Sequence, residues 1–207
     1  AINRLEKEVD EEVAEAADRA LAAAFPATDS ITRFVYSPDL DPCALQSEPQ
    51  SQGGDKTMAD LINACLKDEM RRDPRIVVFG EDVADCSREE YLKQKAVKGK
   101  GGVFKLTAGL QAEFGPDRVI DTPISESLIV GAGIGAAILG MRPVVEMQFA
   151  DFISCAFDQI VNMAATLRFR HGGHASCPMV VRGPSGAGIH GAIFHSQNPE
   201  AWFTRVP

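Results

Sequence analysis

The chain has 207 residues, of which 45% are hydrophobic, and a formal net charge of −8. That suffices for one sizeable α/β domain with an appendage and falls short of a whole multidomain enzyme. Residues 1 to 50 hold 11 acids and 4 bases, which leaves only −1 for residues 51 to 207, so no basic surface for nucleic acid is expected.

Leu5, Val9, Val13, Ala16, Ala17, Ala20, Leu21 and Ala24 recur at helical spacing ahead of Pro26, with acids on the opposite face. This predicts an amphipathic helix over residues 1–25 that needs a partner on another chain or another part of its own. The acidic start is unlike a basic signal or transit peptide, and no apolar run could cross a bilayer, so a mature, cytoplasmic protein without a membrane partner is expected. Residues 26–55 are rich in Pro, Ser, Asp and Gln and read as a linker, with one short strand expected at Thr32 to Tyr36.

From residue 56 the pattern changes. Thr57 is placed to cap a helix from Met58 to Arg72 that buries Leu61, Ile62, Cys65, Leu66 and Met70, and Ile76 to Phe79 reads as a buried strand. Arg118 to Ile120 is a second short strand. Helices are expected at Leu128 to Leu139 and Ala156 to Arg168, and strands at Pro143 to Gln148 and Met179 to Arg182. Strands alternating with helices predict a mainly parallel sheet covered by helices on both faces. The five cysteines, at 43, 65, 86, 155 and 177, form no CxxC pair and are read as reduced thiols.

The run Asp121-Thr122-Pro123-Ile124-Ser125-Glu126 joins the second strand to the Gly/Ala-rich helix. A strand, a proline turn and a helix in that order hold a carboxylate at the C-terminal edge of a sheet, where α/β proteins bind ligands. Glu126 is therefore a candidate for chemistry, against the plainer possibility that Ser125 and Glu126 only cap the helix.

Read together, DTPISE, GEDV at 80–83, GGVFKLTAGL at 101–110, EMQFADF at 146–152, FDQIVN at 157–162 and HSQNPEAW at 195–202 resemble the β-type half of the thiamine-diphosphate-dependent 2-oxo acid dehydrogenases. The resemblance runs from about Lys56 to Pro207, and the last three strings are most similar to the branched-chain (2-oxoisovalerate) enzymes. It implies the pyrimidine-binding domain of the transketolase-like fold over residues 56–207. The helix of 1–25 would then be the tail of an α-type half, joined through 26–55 as in fused versions of these enzymes.

The same resemblance assigns residues. Glu126 matches the carboxyl group that exchanges a proton with the aminopyrimidine ring, work that suits a carboxyl in a dry pocket. Phe152 matches the aromatic lying against that ring. His195 matches the active-site histidine that faces substrate and donates or relays protons. Glu81 and Glu146, at strand ends, are read as an acid network behind Glu126.

The family's GDG motif, which leads its magnesium and diphosphate site, is absent, so Mg2+ and that end of the cofactor are expected from a region outside this chain. Partners implied are the α-type half, a lipoyl-bearing acyltransferase and further copies of the chain. A pyruvate or acetoin dehydrogenase β-type chain, or a non-catalytic assembly fragment, stay open as alternatives.

Three further patterns point elsewhere and are read as structural. Gly131-Ala-Gly133-Ile-Gly135-Ala136 fits G-x-G-x-x-A but lies inside a helix, which suits close packing and not a dinucleotide. His171, His174 and Cys177 have ligand-like spacing without a fourth partner, so no metal site is assigned. Ser185 in Gly183-Pro-Ser-Gly-Ala is read as a turn residue and not a nucleophile.

Overall fold

The computed structural model describes residues 2–36, 38, 39, 53–94 and 99–206. The chain divides into two compact units, Ala1–Arg33 and Phe34–Pro207.

In the first unit, helix α1 (Ile2–Ala22) buries none of its residues. Leu5, Val9 and Val13 are exposed, and i,i+4 pairs such as Arg4–Glu8 and Lys7–Glu11 line the polar side. Such exposed pairs each contribute a few tenths of a kcal/mol, about 0.3–0.5, so the apolar stripe remains unsatisfied. The strand expected at Thr32 to Tyr36 is not formed. A 3-10 turn occupies Thr28–Thr32, with the Ser30 hydroxyl donating to the Ala27 carbonyl at 2.6 Å, and Phe34 adopts φ of 64°, which lies outside the β region.

The second unit is built on a four-stranded parallel sheet in the order β2-β1-β3-β4. Its strands are β1 (Ile76–Gly80), β2 (Val119–Asp121), β3 (Arg142–Glu146) and β4 (Val180–Arg182). On one face, α2 (Met58–Arg72) and the short α4 (Leu110–Phe114), which follows the five-residue α3 (Glu89–Lys93), contribute Leu66, Met70 and Leu110 to a core with Val78 and Val119. On the other face, α5 (Glu126–Ile138) packs Ile129, Val130 and Ile134 against Val77, Phe79 and Val145. Alternate residues of β1 thus serve opposite cores, which is why the strand reads as an uninterrupted apolar run.

Helix α2 starts on the expected Thr57 cap, a full capping box in which Thr57 Oγ1 accepts from Asp60 N–H at 3.1 Å and Asp60 accepts in return from Thr57 N–H. Its far end is held by Arg118, whose guanidinium donates to the carbonyls of Met70, Asp73 and Ile76 at 2.9–3.0 Å. One side chain therefore locks α2, β1 and β2 together. Leu61 and Cys65, expected inside, are exposed. Cys65 lines an apolar groove of about 600 Å3 together with Ile62, Leu66, Val144 and Val180.

The single helix expected over Ala156 to Arg168 is divided. A 3-10 segment, Ala150–Ala156, leads into a π-helical stretch, Gln159–Ala164, and then α6 (Leu167–Arg170). The irregularity has a local cause: Ala165 N–H reaches back five residues to Ile160 O at 2.9 Å, and the Thr166 hydroxyl takes the Asn162 carbonyl at 2.6 Å.

Candidate active site

The C-terminal ends of the strands place their last residues in one row. Gly80 is in register with both Asp121 and Glu146, and Glu146 with Arg182. Gly80 has to be glycine for space: a Cβ there would lie 2.5 Å from the Glu146 carbonyl oxygen. The chain leaves β1 toward β2 on one side and later returns on the other side as β3, so the crevice beyond Gly80 is where the connections diverge.

Asp121 anchors one wall. Its Oδ1 accepts from the N–H groups of Val83 and Ala84 at 2.8 and 2.7 Å, and its Oδ2 from the Ser87 hydroxyl at 3.0 Å. The loop after β1 is then laced to the segment 99–112. Asp85 accepts from Gly109 N–H at 2.8 Å, Thr107 donates to Val83 O at 2.6 Å, and Gln111 exchanges two hydrogen bonds with the Cys86 backbone. Gly101 turns this segment at φ of 68°, where a Cβ would meet the Ala108 backbone at 2.1 Å. The strings GEDV and GGVFKLTAGL are thereby two sides of one polar weld. Asp85, Thr107, Gln111 and Asp121 do this work without a local sequence signal; the first three are polar residues that only the fold shows to be buried.

Glu126 is the first residue of α5, held there by the Pro123 turn, with Thr122 N–H bonded to Gly80 O at 2.9 Å. Ser125 makes no side-chain cap bond, so the plain capping account of this pair fails for the serine. The Glu126 carboxyl is partly exposed and lies within electrostatic range of Glu81. Burial pushes the Glu81 carboxyl above its usual range, and the neighbouring Asp82, Asp121 and Glu126 add to this against the pull of Lys100. Ile124 and Leu128, two residues to either side of Glu126 in the chain, are 77% and 55% exposed, so apolar side chains at the head of α5 are open to solvent.

Glu146 has a different role from Glu81. It is buried at the end of β3 in an ion pair with Arg182, and burial raises its carboxyl despite that partner. The two acids read together from sequence thus have different partners, although Asp82 acts on both. Glu81 lies within electrostatic range of Asp82, Lys100, Asp121 and Glu126, and Glu146 ties β3 to β4.

Phe152 and His195 are brought together. The His195 ring packs edge-on to Phe149 at 4.5 Å and to Phe152 at 5.3 Å between centroids, and Phe104 continues the cluster on Phe149 at 5.6 Å. Segment Ala150–Ala156, which carries Phe152, packs against α5, which carries Glu126 at its head. No hydrogen bond or ion pair joins Glu126 to His195 among the described residues. Phe104 and Phe149 were missed as site residues, although each lies inside a quoted string.

Gly133 faces the sheet, where a Cβ would stand 2.8 Å from Met179 Cε and 2.9 Å from Val145 Cγ1, so this glycine of α5 serves close packing, whereas a Cβ on Gly135 would meet nothing within 4 Å. His171 Nδ1 lies 2.9 Å from the Leu167 carbonyl, and the Ser185 hydroxyl is 3.3 Å from Glu200 Oε1 in the turn after β4. No helix among the described residues is long and apolar enough to cross a membrane.

Comparison with known proteins agrees with this architecture. The family model "Transketolase, pyrimidine binding domain" matches residues 55–207. The 2-oxoisovalerate dehydrogenase subunit beta of Bacillus subtilis is 53% identical over 148 residues, covering 72% of this chain and 41% of that protein. Its counterpart in Pseudomonas aeruginosa is 46% identical over 150 residues, covering 72% and 39%. The acetoin:2,6-dichlorophenolindophenol oxidoreductase subunit beta of Bacillus subtilis is 43% identical over 151 residues, covering 73% and 44%. The chain thus spans about two fifths of the length of these relatives. With a parallel sheet of the expected kind, a family match over most of its length and similarity to 2-oxoisovalerate dehydrogenase β subunits, the chain belongs to the transketolase pyrimidine-binding domain family.

Proposed function

We propose that the chain forms the aminopyrimidine side of the active site of a thiamine-diphosphate-dependent 2-oxo acid dehydrogenase E1 component, acting on a branched-chain 2-oxo acid. The acyl group would pass to lipoyl on a partner acyltransferase. The observation that carries this is the conjunction, at one edge of the sheet, of a carboxyl at the head of α5 with a histidine packed into an aromatic cluster. The 53% identity to a 2-oxoisovalerate dehydrogenase β subunit favours the branched-chain class.

The residues fit half of such a cofactor. Glu126 stands among exposed apolar side chains, Ile124 and Leu128, which suit a cover from another polypeptide, and Phe152 offers an aromatic edge. When bound, thiamine diphosphate supplies a carbon nucleophile and an electron sink for decarboxylation. Glu126 holds or gives the proton at the aminopyrimidine ring nitrogen, Phe152 contacts the ring, and His195 donates or relays a proton toward the 2-oxo acid and the acyl acceptor. The α-type half brings diphosphate and Mg2+ and covers the apolar surface around Glu126. The acidic helix α1 is then the tail of that half, joined through residues 26–55, and its apolar stripe is covered in the assembled enzyme.

The test uses the full-length enzyme. Glu126→Gln keeps shape and much of the cofactor affinity but loses about three powers of ten or more in kcat, roughly 4 kcal/mol of barrier. His195→Ala impairs turnover while exchange of the thiazolium proton stays near normal. Normal exchange in Glu126→Gln, or exchange equally slow in both variants, overturns the assignment. Comparison of kcat/KM for 2-oxoisovalerate, pyruvate and acetoin decides the substrate class.

A further inference from the structure

The aromatic cluster does not by itself explain why His195 stays in place. It lies at the end of a 3-10 turn, Ala192–Phe194, whose own fastening is a long bond from His195 N–H to Ala192 O of 3.4 Å. The stronger ties come from the residues that follow. Ser196 Oγ accepts from Gly191 N–H at 2.8 Å, Gln197 O accepts from Gly186 N–H at 3.2 Å, and Gln197 N–H donates to Asp151 Oδ1 at 3.2 Å.

The last of these reaches a different element. Asp151 sits between Phe149 and Phe152, on the turn that carries both rings packed on His195, and that turn is itself held to the loop after β4 by Ala150 N–H on Pro184 O at 2.8 Å. Only 6% of Asp151 is exposed, and its Oδ2 has no hydrogen-bond partner among the described residues. Burying a carboxyl group for one bond to a backbone amide costs more than that bond returns, so stability alone does not account for an acid here.

We propose that Asp151 is a positioning residue for His195, holding the imidazole against Phe149 and Phe152 through the Gln197 amide. The space around the histidine is consistent with a fixed seat. A Cβ on Gly191 would come within 2.4 Å of His195 Cβ, so this turn packs closely against the back of the histidine. Loss of the Asp151 tether frees the strap 195–198 at its junction with the Phe152 turn. The catalytic consequence rests on the role proposed above for His195; the positioning itself does not.

The experiment compares Asp151→Ala, Asp151→Asn, His195→Ala and the Asp151→Ala/His195→Ala double variant in the full-length enzyme assembled with its partner half. With 13C-labelled histidine, the His195 ring protons, shifted by the two phenylalanines and identified by their absence in His195→Ala, should move toward free-histidine positions in Asp151→Ala. They should stay in place in Asp151→Asn, whose Oδ1 still accepts the Gln197 N–H. Asp151→Ala should lower kcat about tenfold with little change in the KM for thiamine diphosphate, Asp151→Asn should recover most of it, and the double variant should be no slower than His195→Ala. Unmoved His195 resonances in Asp151→Ala, or losses that multiply in the double variant, overturn the proposal. If His195→Ala alone keeps full activity, the role of the histidine fails, while the resonances still decide the positioning. Asp151→Leu, similar in size and without an acceptor, carries the same expectations if the alanine variant does not assemble.

Discussion

Gly133 and Gly135 lie two residues apart on α5, yet an added methyl group should act on them in opposite directions. In a helix interior Gly→Ala gains about 1 kcal/mol from backbone entropy. At Gly135 the new Cβ meets nothing within 4 Å, so the full gain should appear. At Gly133 it would stand 2.8 Å from Met179 Cε and 2.9 Å from Val145 Cγ1, well inside the ~3.5–4.0 Å of an ordinary carbon contact. Met179 can swing its terminal methyl aside. Val145 cannot, because it is β-branched, fully buried and held on β3 between β1 and β4. Overpacking of about 3 kcal/mol then outweighs roughly 1 kcal/mol of entropy and ~0.8 kcal/mol of burial, for a net loss near 1 kcal/mol. Gly133→Ala should therefore unfold about 2 kcal/mol more easily than Gly135→Ala, some 4–8 °C in Tm at this size. Thermal and urea unfolding of the two variants beside the parent chain measure this directly. A Gly133→Ala chain as stable as Gly135→Ala would show that α5 is not seated on the sheet as described, and with it the height at which Glu126 is held.

Glu146→Ala should cost about 3 kcal/mol or more in urea unfolding, because it leaves Arg182, 16% exposed at its side chain, as a buried charge without its partner. Asp73, which accepts from the Arg75 side chain and backbone, is held down to about 2 from 3.8, so its contribution to stability is present above pH 3.8 and lost as the pH falls through 2. Asp73→Asn should flatten the acid limb of a stability-against-pH curve over that window, with the variant less stable than the parent at neutral pH and equal to it below about pH 2. The chain of 207 residues alone should turn over no 2-oxo acid, since half of the proposed cofactor pocket lies elsewhere. It should also self-associate or bind a hydrophobic dye through α1, the Ile124–Leu128 surface and the groove beside α2; a dye-negative monomer in light scattering contradicts this.

Much of this protein follows from short-range pattern. The strands Ile76–Gly80 and Arg142–Glu146 could be read from runs of Val and Ile, α2 from its Thr57 capping box, and Glu126 from a strand, a proline and a helix start that are contiguous in the chain. These signals are local because helix caps, turns and buried strands are each determined by a few neighbouring residues. The N-terminal strand failed for the complementary reason. Thr32 to Tyr36 has the β-branched and aromatic residues of a strand, but a strand needs another to pair with, and a 3-10 turn closed by Ser30 needs only itself. The π-helical interruption at Gln159–Ala164 was likewise invisible, since it depends on one hydrogen bond slipping by a residue.

What only the tertiary structure decided is which polar groups work together. Glu81 and Glu146 both follow apolar strand runs and look alike in sequence, yet Glu81 lies one residue past the end of β1 in the loop toward Asp82 and Lys100, while Glu146 is the last residue of β3 and is taken by Arg182, because register places it opposite β4. Phe152 and His195 belong to distant, irregular segments without periodicity, and their ring contact is set by the packing of the turn after β3 against the strap after β4. Asp151 was silent for the same reason: an acid beside two phenylalanines carries no pattern until burial and the Gln197 amide give it a direction. Residue types and local turns are written along the chain. The distances that turn them into a site come from the parallel sheet, which sets its strand ends side by side whatever their separation in sequence.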